Sequence, residues 1–227
     1  NNTTAYSSPV QIGSSTNWAS AGGSANSSAL INTSGQLFTF GYNASTGECG
    51  LNQISSHKSN PSAVGSLTNW KHIASLKGNQ MTASKTDGTM WSWGSGGQGR
   101  LGLGDTENYS SPVQVGSLTN WGLEKDQLAG GNNYVIAVKQ DGTLWAWGGN
   151  EYGQLGDGST TSRSSPVQIG SATNWVKVMP GLYSSYAIND EGKLYVWGYN
   201  NYSSSAGGLG LGDNTHRSTP VLVSSGW

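Results

Sequence analysis

The sequence predicts an all-β propeller of four-stranded antiparallel blades. Three observations predict it: a long internal repeat, a hairpin signal inside each unit, and the lack of any sustained helical period. The segment Pro-Val-x-x-Gly-Ser recurs at Pro9, Pro112 and Pro166, with weaker copies at Pro61 and Pro220, so successive prolines stand 52, 51, 54 and 54 residues apart. Each copy leads to a tryptophan: Trp18, Trp70, Trp121, Trp175 and Trp227. Between these anchors lies a second shared block, at 36–41, 89–94, 143–148 and 193–198, and all ten tryptophans fall in one block or the other. The reading is one propeller domain over 1–227, with units at about 18–70, 70–121, 121–175 and 175–227 and a leading Pro-Val strand segment at 1–17.

The third unit shows the elements most plainly. The residues after the anchoring tryptophan supply a first strand, seen best in the fourth unit at 176–179. Residues 134–139 and 143–147 are rich in β-branched and aromatic side chains and read as the second and third strands. Asp141-Gly142 between them signals a type I′ hairpin; Asp87-Gly88 repeats it, and Ser34-Gly35 and Glu191-Gly192 are looser versions. The Pro-Val segment closes the unit as a fourth strand. Residues two apart on a strand share a face, so Trp91 with Trp93, Trp145 with Trp147, and Phe38 with Phe40 are expected to fill the gaps between blades.

Charged residues make up only 10% of the chain and the formal net charge is -1, which offers no field for nucleic acid and no basic face for an anionic membrane. The apolar runs are far shorter than a membrane span, so membrane insertion is not expected. A single cysteine, Cys49, allows no internal disulfide and reads as a small buried residue.

Chemical motifs are scarce. The run 94–99 fits G-x-G-x-x-G, but nothing after it reads as the helix that a dinucleotide site requires. Asp105, Asp157 and Asp213 share one position in successive units and read as turn carboxylates bonded to their own backbone. His57, His72 and His216 are too far apart in sequence for a metal or triad motif within one element. No catalytic, cofactor or metal residue is expected, and no enzyme. The variable loops after each Trp-Gly carry Tyr42, Tyr152, Tyr199 and Tyr202 among Asn, Ser and Gly, a composition suited to recognition. Three residues before the later prolines stand Arg163 and Arg217, which join the candidate partner-binding set.

Residues 137–158 read Ala-x-x-x-Asp-Gly-x-Leu-Trp-Ala-Trp-Gly-x-Asn-x-x-Gly-Gln-Leu-Gly-x-Gly, and this resembles the repeat of the regulator of chromosome condensation family. The resemblance spans nearly the whole chain, with the first unit altered to Gly47-Glu-Cys-Gly-Leu51. It implies a propeller, usually of seven blades. The family's Gly-x-x-His-x-x-Ala-Leu histidine falls here on Asn26, Gln80, Tyr134 and Ser184. The near-identical wording at 8–18 and 165–175 resembles the bacterial and phage members. Four units where seven are usual admit three accounts: part of a longer chain, blades completed by other subunits, or four blades closing alone.

Composition and resemblance together give the expectation of a non-enzymatic, extracellular structural or binding module. A phage fibre, tail or decoration protein, or a bacterial surface protein, is the leading form, located outside the cell or on the virion. The alternative is a soluble inhibitor or regulator that binds protein through one propeller rim. The expected partners are a protein or a surface glycan, with a homo-oligomer or larger assembly allowed, and no cofactor.

Overall fold

A computed structural model of the chain describes residues 7–9, 11–54, 57–201 and 208–223, and these form four sheets of four antiparallel strands. The first sheet holds β1 (Trp18–Gly23), β2 (Ser27–Asn32), β3 (Leu37–Gly41) and β4 (Lys58–Ala63). The second holds β5 (Trp70–Ile73), β6 (Gln80–Lys85), β7 (Met90–Gly94) and β8 (Tyr109–Gln114). In the third, β9 (Leu128–Gly130), β10 (Tyr134–Val138), β11 (Leu144–Gly148) and β12 (Arg163–Gln168) follow in order. The fourth is β13 (Trp175–Val178), β14 (Ser184–Asn189), β15 (Leu194–Gly198) and β16 (Arg217–Leu222). Strands neighbouring in sequence are neighbours in each sheet, the up-and-down order of a propeller blade.

One element starts later than its sequence suggests. Trp121 makes only an isolated bridge to Lys139, and β9 begins seven residues on at Leu128. A short 3-10 turn at Lys125–Gln127 intervenes, closed by a capping box in which Glu124 and Gln127 serve each other's backbone N–H.

The hairpin chemistry also differs from the type I′ expectation, which requires positive φ at both central residues. Gly142 has φ 77°, but Asp141 does not have a positive φ. The Gly142 N–H donates to the Lys139 carbonyl at 2.9 Å, and the Lys139 N–H donates to that of Thr143, also at 2.9 Å. This is a type I turn followed by a left-handed glycine, the three-residue G1-bulge hairpin. Asp141 is selected for its carboxylate, which accepts from the Thr143 N–H at 3.0 Å and the Thr143 hydroxyl at 2.6 Å. Asp87 does the same with Thr89.

The core lies between blades rather than within them. Ala29, Ile31 and Leu37 of the first blade meet Trp70, Met81 and Trp93 of the second. Met90 and Val115 of the second meet Trp121, Val135 and Trp147 of the third. Ile136, Leu144 and Ala146 of the third meet Trp175, Ala187 and Trp197 of the fourth. Accordingly β6 and β10, in the two middle blades, are buried at every residue, whereas β2 alternates between buried and half-buried. The first strands run side by side at the inner end of the blades, where Gly23 bridges Ser75 in parallel and the Gly130 N–H donates to the Ser75 carbonyl.

The second aromatic residue of each later pair, a tryptophan, locks a blade to its predecessor. Trp93, Trp147 and Trp197 are wholly buried. Each lies on a glycine of the preceding blade: a Cβ at Gly50, Gly102 or Gly156 would stand 2.8, 2.8 or 2.7 Å from the indole nitrogen. All three glycines have positive φ, so both space and backbone exclude a side chain. The Trp93 and Trp197 N–H groups donate to the carbonyls of Glu48 and Gln154, at 3.0 and 2.9 Å. Three residues earlier, Gly47, Gly99 and Gly153 lie against Ser110, Ser164 and Ser218 on the next blade's outer strand. The altered first unit therefore keeps the same joint, with Cys49 in the buried place of Leu101 and Leu155.

Burial raises the Cys49 thiol to about 11. We expect no alkylation by iodoacetamide at pH 8 in the native protein and full alkylation in urea, read by mass spectrometry; native labelling would contradict the buried placement. Truncating Trp147 to Ala should cost about 3–5 kcal/mol, the range for large buried aromatics. Denaturant unfolding checks this, and a loss below about 1 kcal/mol would show that the joint is not a core contact.

Candidate functional site: the tyrosine-bearing rim

Each blade presents a hairpin at one end and the long loop after Trp-Gly at the other. Gly148 pairs with Arg163 and Gly198 with Arg217, just as Gly41 pairs with Lys58, so the loop residues and the residues before the prolines share one rim. Tyr42, Tyr152, Tyr199, Arg163 and Arg217 thus lie at the same end of the molecule, while Tyr202 falls outside the described residues.

A buried asparagine shapes the loop. Asn150, with no exposed surface, accepts from the Leu155 N–H at 3.0 Å and donates to the Thr161 carbonyl and the Asp157 carboxylate at 3.1 Å each. Asn43 accepts from the Cys49 N–H and Asn200 from the Leu209 N–H in the same manner. The second unit has Gly96 at this place, and Asn108 reaches in from the other side of the loop to accept the Gly96 N–H at 3.0 Å. There the run 94–99 forms a three-residue 3-10 turn, Gly97–Gly99, so no helix start is available for a dinucleotide.

The turn carboxylates bond their own backbone as expected. Asp105, Asp157 and Asp213 accept the N–H two residues on, at 3.0, 3.0 and 2.8 Å. Their second oxygens take the first residue of the proline-bearing strand: Tyr109 donates to Asp105 at 2.9 Å, Arg163 to Asp157 at 2.8 Å, and Arg217 to Asp213 at 2.6 Å. Arg163 and Arg217 are thereby engaged inside the loops, which sequence spacing alone did not indicate. No group of three or more metal-ligating side chains occurs among the described residues.

The aromatic residues gather between the third and fourth blades. Tyr152 contacts Tyr183, Tyr199 and His216 with ring centroids 5.4, 4.7 and 5.4 Å apart, all edge-on. Tyr199 lies over His216 at 4.8 Å, and His216 Nδ1 accepts the Asn200 N–H at 3.0 Å, which places the proton of the neutral ring on Nε2. Tyr183 is held by Asn132, whose amide donates to its hydroxyl at 3.0 Å. All three tyrosines are half-buried and His216 is exposed, so the cluster remains partly open to solvent. Across the molecule Tyr42 stacks on His57 at 4.8 Å. Sequence reasoning missed His57, His216 and Tyr183. The signal for the histidines was available: each lies four residues before its proline, in the two units that carry tyrosine after the Phe-Gly or Trp-Gly.

The four blades and their joints define a repeat β-propeller chain. Residues 87–138 and 141–188 match the regulator of chromosome condensation (RCC1) repeat, as do 126–154 in a second form of it, so the chain carries repeats of that family. Among curated relatives it is 33% identical over 138 residues to the ultraviolet-B receptor UVR8 of Arabidopsis thaliana, covering 60% of this chain and 30% of the receptor. Human WBSCR16 superposes with a TM-score of 0.75 at 22% identity, over 92% of this chain and 53% of that one. Yeast RCC1 (Prp20), in a structure with Kap60 bound, superposes with a TM-score of 0.70 at 20% identity, over 88% and 48%. The chain spans about a third of the receptor and about half of each solved propeller, and the two structural likenesses establish the fold.

The loop carboxylates carry a pH dependence. Burial pushes Asp157 up, but the Arg163 hydrogen bond and the two from Ser159 outweigh it, so its pKa lies below the ordinary carboxylate value; the Arg217 hydrogen bond lowers Asp213. A depressed native pKa contributes stability above the ordinary value, and that contribution is lost as pH falls through the native one. Arg163→Met should therefore be less stable than the parent at pH 7, with the difference shrinking below about pH 4. Denaturant titrations at several pH values test this, and a difference that stays constant into acid would refute it.

Proposed function

We propose that this chain is a non-enzymatic, protein-binding propeller module that engages its partner through the tyrosine-bearing rim. The observation that carries the reading is the cluster of Tyr152, Tyr183, Tyr199 and His216, whose rings brace one another while remaining partly exposed. Rings already fixed by neighbours lose little entropy on binding, and tyrosine offers apolar area with a polar tip, the composition of protein-recognition surfaces. The relatives named above favour regulation or protein binding: one is a receptor, and another is seen with Kap60 bound.

The structural, phage or bacterial-surface form of this reading rests on composition and on repeat wording alone. Its relatives here come from a plant, human and yeast and lend it no support, so the binding module is preferred. The low content of charged residues, 10%, suits an extracellular location, which we retain as part of the proposal.

A photo-crosslinking residue placed at Tyr199 should give a discrete protein adduct in the source organism's extract, and one placed at Gln140 on the hairpin rim should not. Equal adducts from both rims, or none from position 199, would overturn the assignment.

A further inference from the structure

A cleft of about 560 Å³ lies between the first and second blades, away from the tyrosine cluster. Leu51, Val64, Leu67, Trp70, Trp91 and Pro112 give it apolar walls, and Lys85 lies among them. Its size falls in the range of ligand sites. The Lys85 ammonium stands 3.6 Å from the centre of the Trp91 ring and 4.7 Å from that of Trp70, and the residue is only 4% exposed.

Two donors that line the cleft, the Lys85 ammonium and the Trp70 indole N–H, lack an acceptor among the described residues. The salt bridges among the described residues use other cations, so no carboxylate pairs with Lys85. Asp87, the acid whose field reaches it, gives its oxygens to Thr89 and to the Asn69 amide. The Trp70 indole N–H is buried and has no acceptor among the described residues, as is also the case for Trp121 and Trp175. Burial accordingly lowers the Lys85 pKa, with Asp87 only partly opposing it. Two indole faces stabilise an ammonium but do not neutralise it.

Register places a small residue at this junction. Ala63 stands opposite Phe38 on the outer strand of the first blade, where the later blades have Gln114 opposite Trp91, Gln168 opposite Trp145 and Leu222 opposite Tyr195. The next junction repeats the cation site, with Lys139 at 3.5 Å from Trp145 and 4.9 Å from Trp121, but beside it Gln114 takes the place of Ala63. The small residue opens the space, and the lysine gives it a charge.

We propose that this cleft docks an extended segment of a partner protein in which a glutamate lies between apolar residues. The carboxylate would pair with Lys85, and the flanking side chains would lie against Leu51, Leu67 and Pro112. Charge complementarity selects the acid, because an ammonium with no carboxylate partner gains a charge-assisted hydrogen bond, the strong kind. The apolar walls select the flanks. This surface is separate from the tyrosine rim, so crosslinking from position 199 and peptide binding here succeed or fail independently.

The test uses acetyl-Leu-Glu-Leu-amide and acetyl-Leu-Gln-Leu-amide as probes, titrated into the full chain while the indole N–H resonances of Trp70 and Trp91 are followed by NMR. The Glu peptide should shift these signals saturably and bind about tenfold more tightly than the Gln peptide. Ala63→Gln, which installs the side chain of the next blade, should abolish the response while the other indole signals stay native. Lys85→Met should remove the preference for Glu over Gln. Equal binding of the two peptides, no saturation up to ~10 mM, or an undiminished response in a folded Ala63→Gln protein would overturn the proposal.

Discussion

Everything in this molecule depends on one joint, a tryptophan of one blade seated on a glycine of the blade before it. A single four-stranded sheet cannot bury its faces, and burial of apolar surface is the main term favouring folding. Here the apolar residues of each sheet are spent on its neighbours, and the three cores are all interfaces. Large indoles can approach so closely only where the facing loop has no Cβ, which fixes Gly50, Gly102 and Gly156. The joint is double, because Gly47, Gly99 and Gly153 meet the serine two before each later proline, Ser110, Ser164 and Ser218. Two motifs that look unrelated in sequence, Gly-x-Leu-Gly and Ser-Ser-Pro-Val, are thus the two sides of one contact.

That joint also accounts for what the loop rim can do. The Gly-x-Leu-Gly segment must be held in place, and the buried asparagine holds it by satisfying backbone groups on both sides of the loop. With the base of the loop fixed, the residue beside the asparagine differs from unit to unit. It is Tyr42, Gly149 or Tyr199 in the three units that carry the asparagine, and Ser95 beside Gly96 in the second. The aspartate and its arginine or tyrosine partner close the far side. Loops on rigid scaffolds are where recognition residues accumulate, and here the scaffold reaches within one residue of the half-buried ring.

The fold was legible because the repeat multiplies weak signals. A single Asp-Gly or Trp-x-Trp proves little, but its return at the same place in several units leaves few architectures open. What sequence could not give was geometry across units. The hairpin type was misread because Asp-Gly serves two turn types, and only the absence of a positive φ at Asp141 decides between them. Arg163 and Arg217 looked like free rim charges because their acceptors, Asp157 and Asp213, were assigned to backbone turns, and an aspartate has two oxygens to spend. The tyrosine cluster was half visible: Tyr152 and Tyr199 were named, while Tyr183 belongs to a different connection and enters only through the packing of adjacent blades.

The units diverge most where the joint does not constrain them, and the divergence is patterned. Histidine before the last strand occurs only with tyrosine in the loop, as Tyr42 with His57 and Tyr199 with His216, while the unit with Ser95 has Asn108 at that place and the unit with Gly149 has Ser162. A stacked pair requires both members, so loss of one leaves the other without a purpose. In the same way Gly96 and Asn108 exchange the asparagine between the two sides of one loop and keep a hydrogen bond to the backbone. Ala63 stands apart from these exchanges. Its methyl group stands where the later blades have a long side chain, and an open cleft lies there beside a lysine. A core position left unfilled costs packing energy, whereas a surface cleft costs little, so such a vacancy at the flank can persist and be put to use.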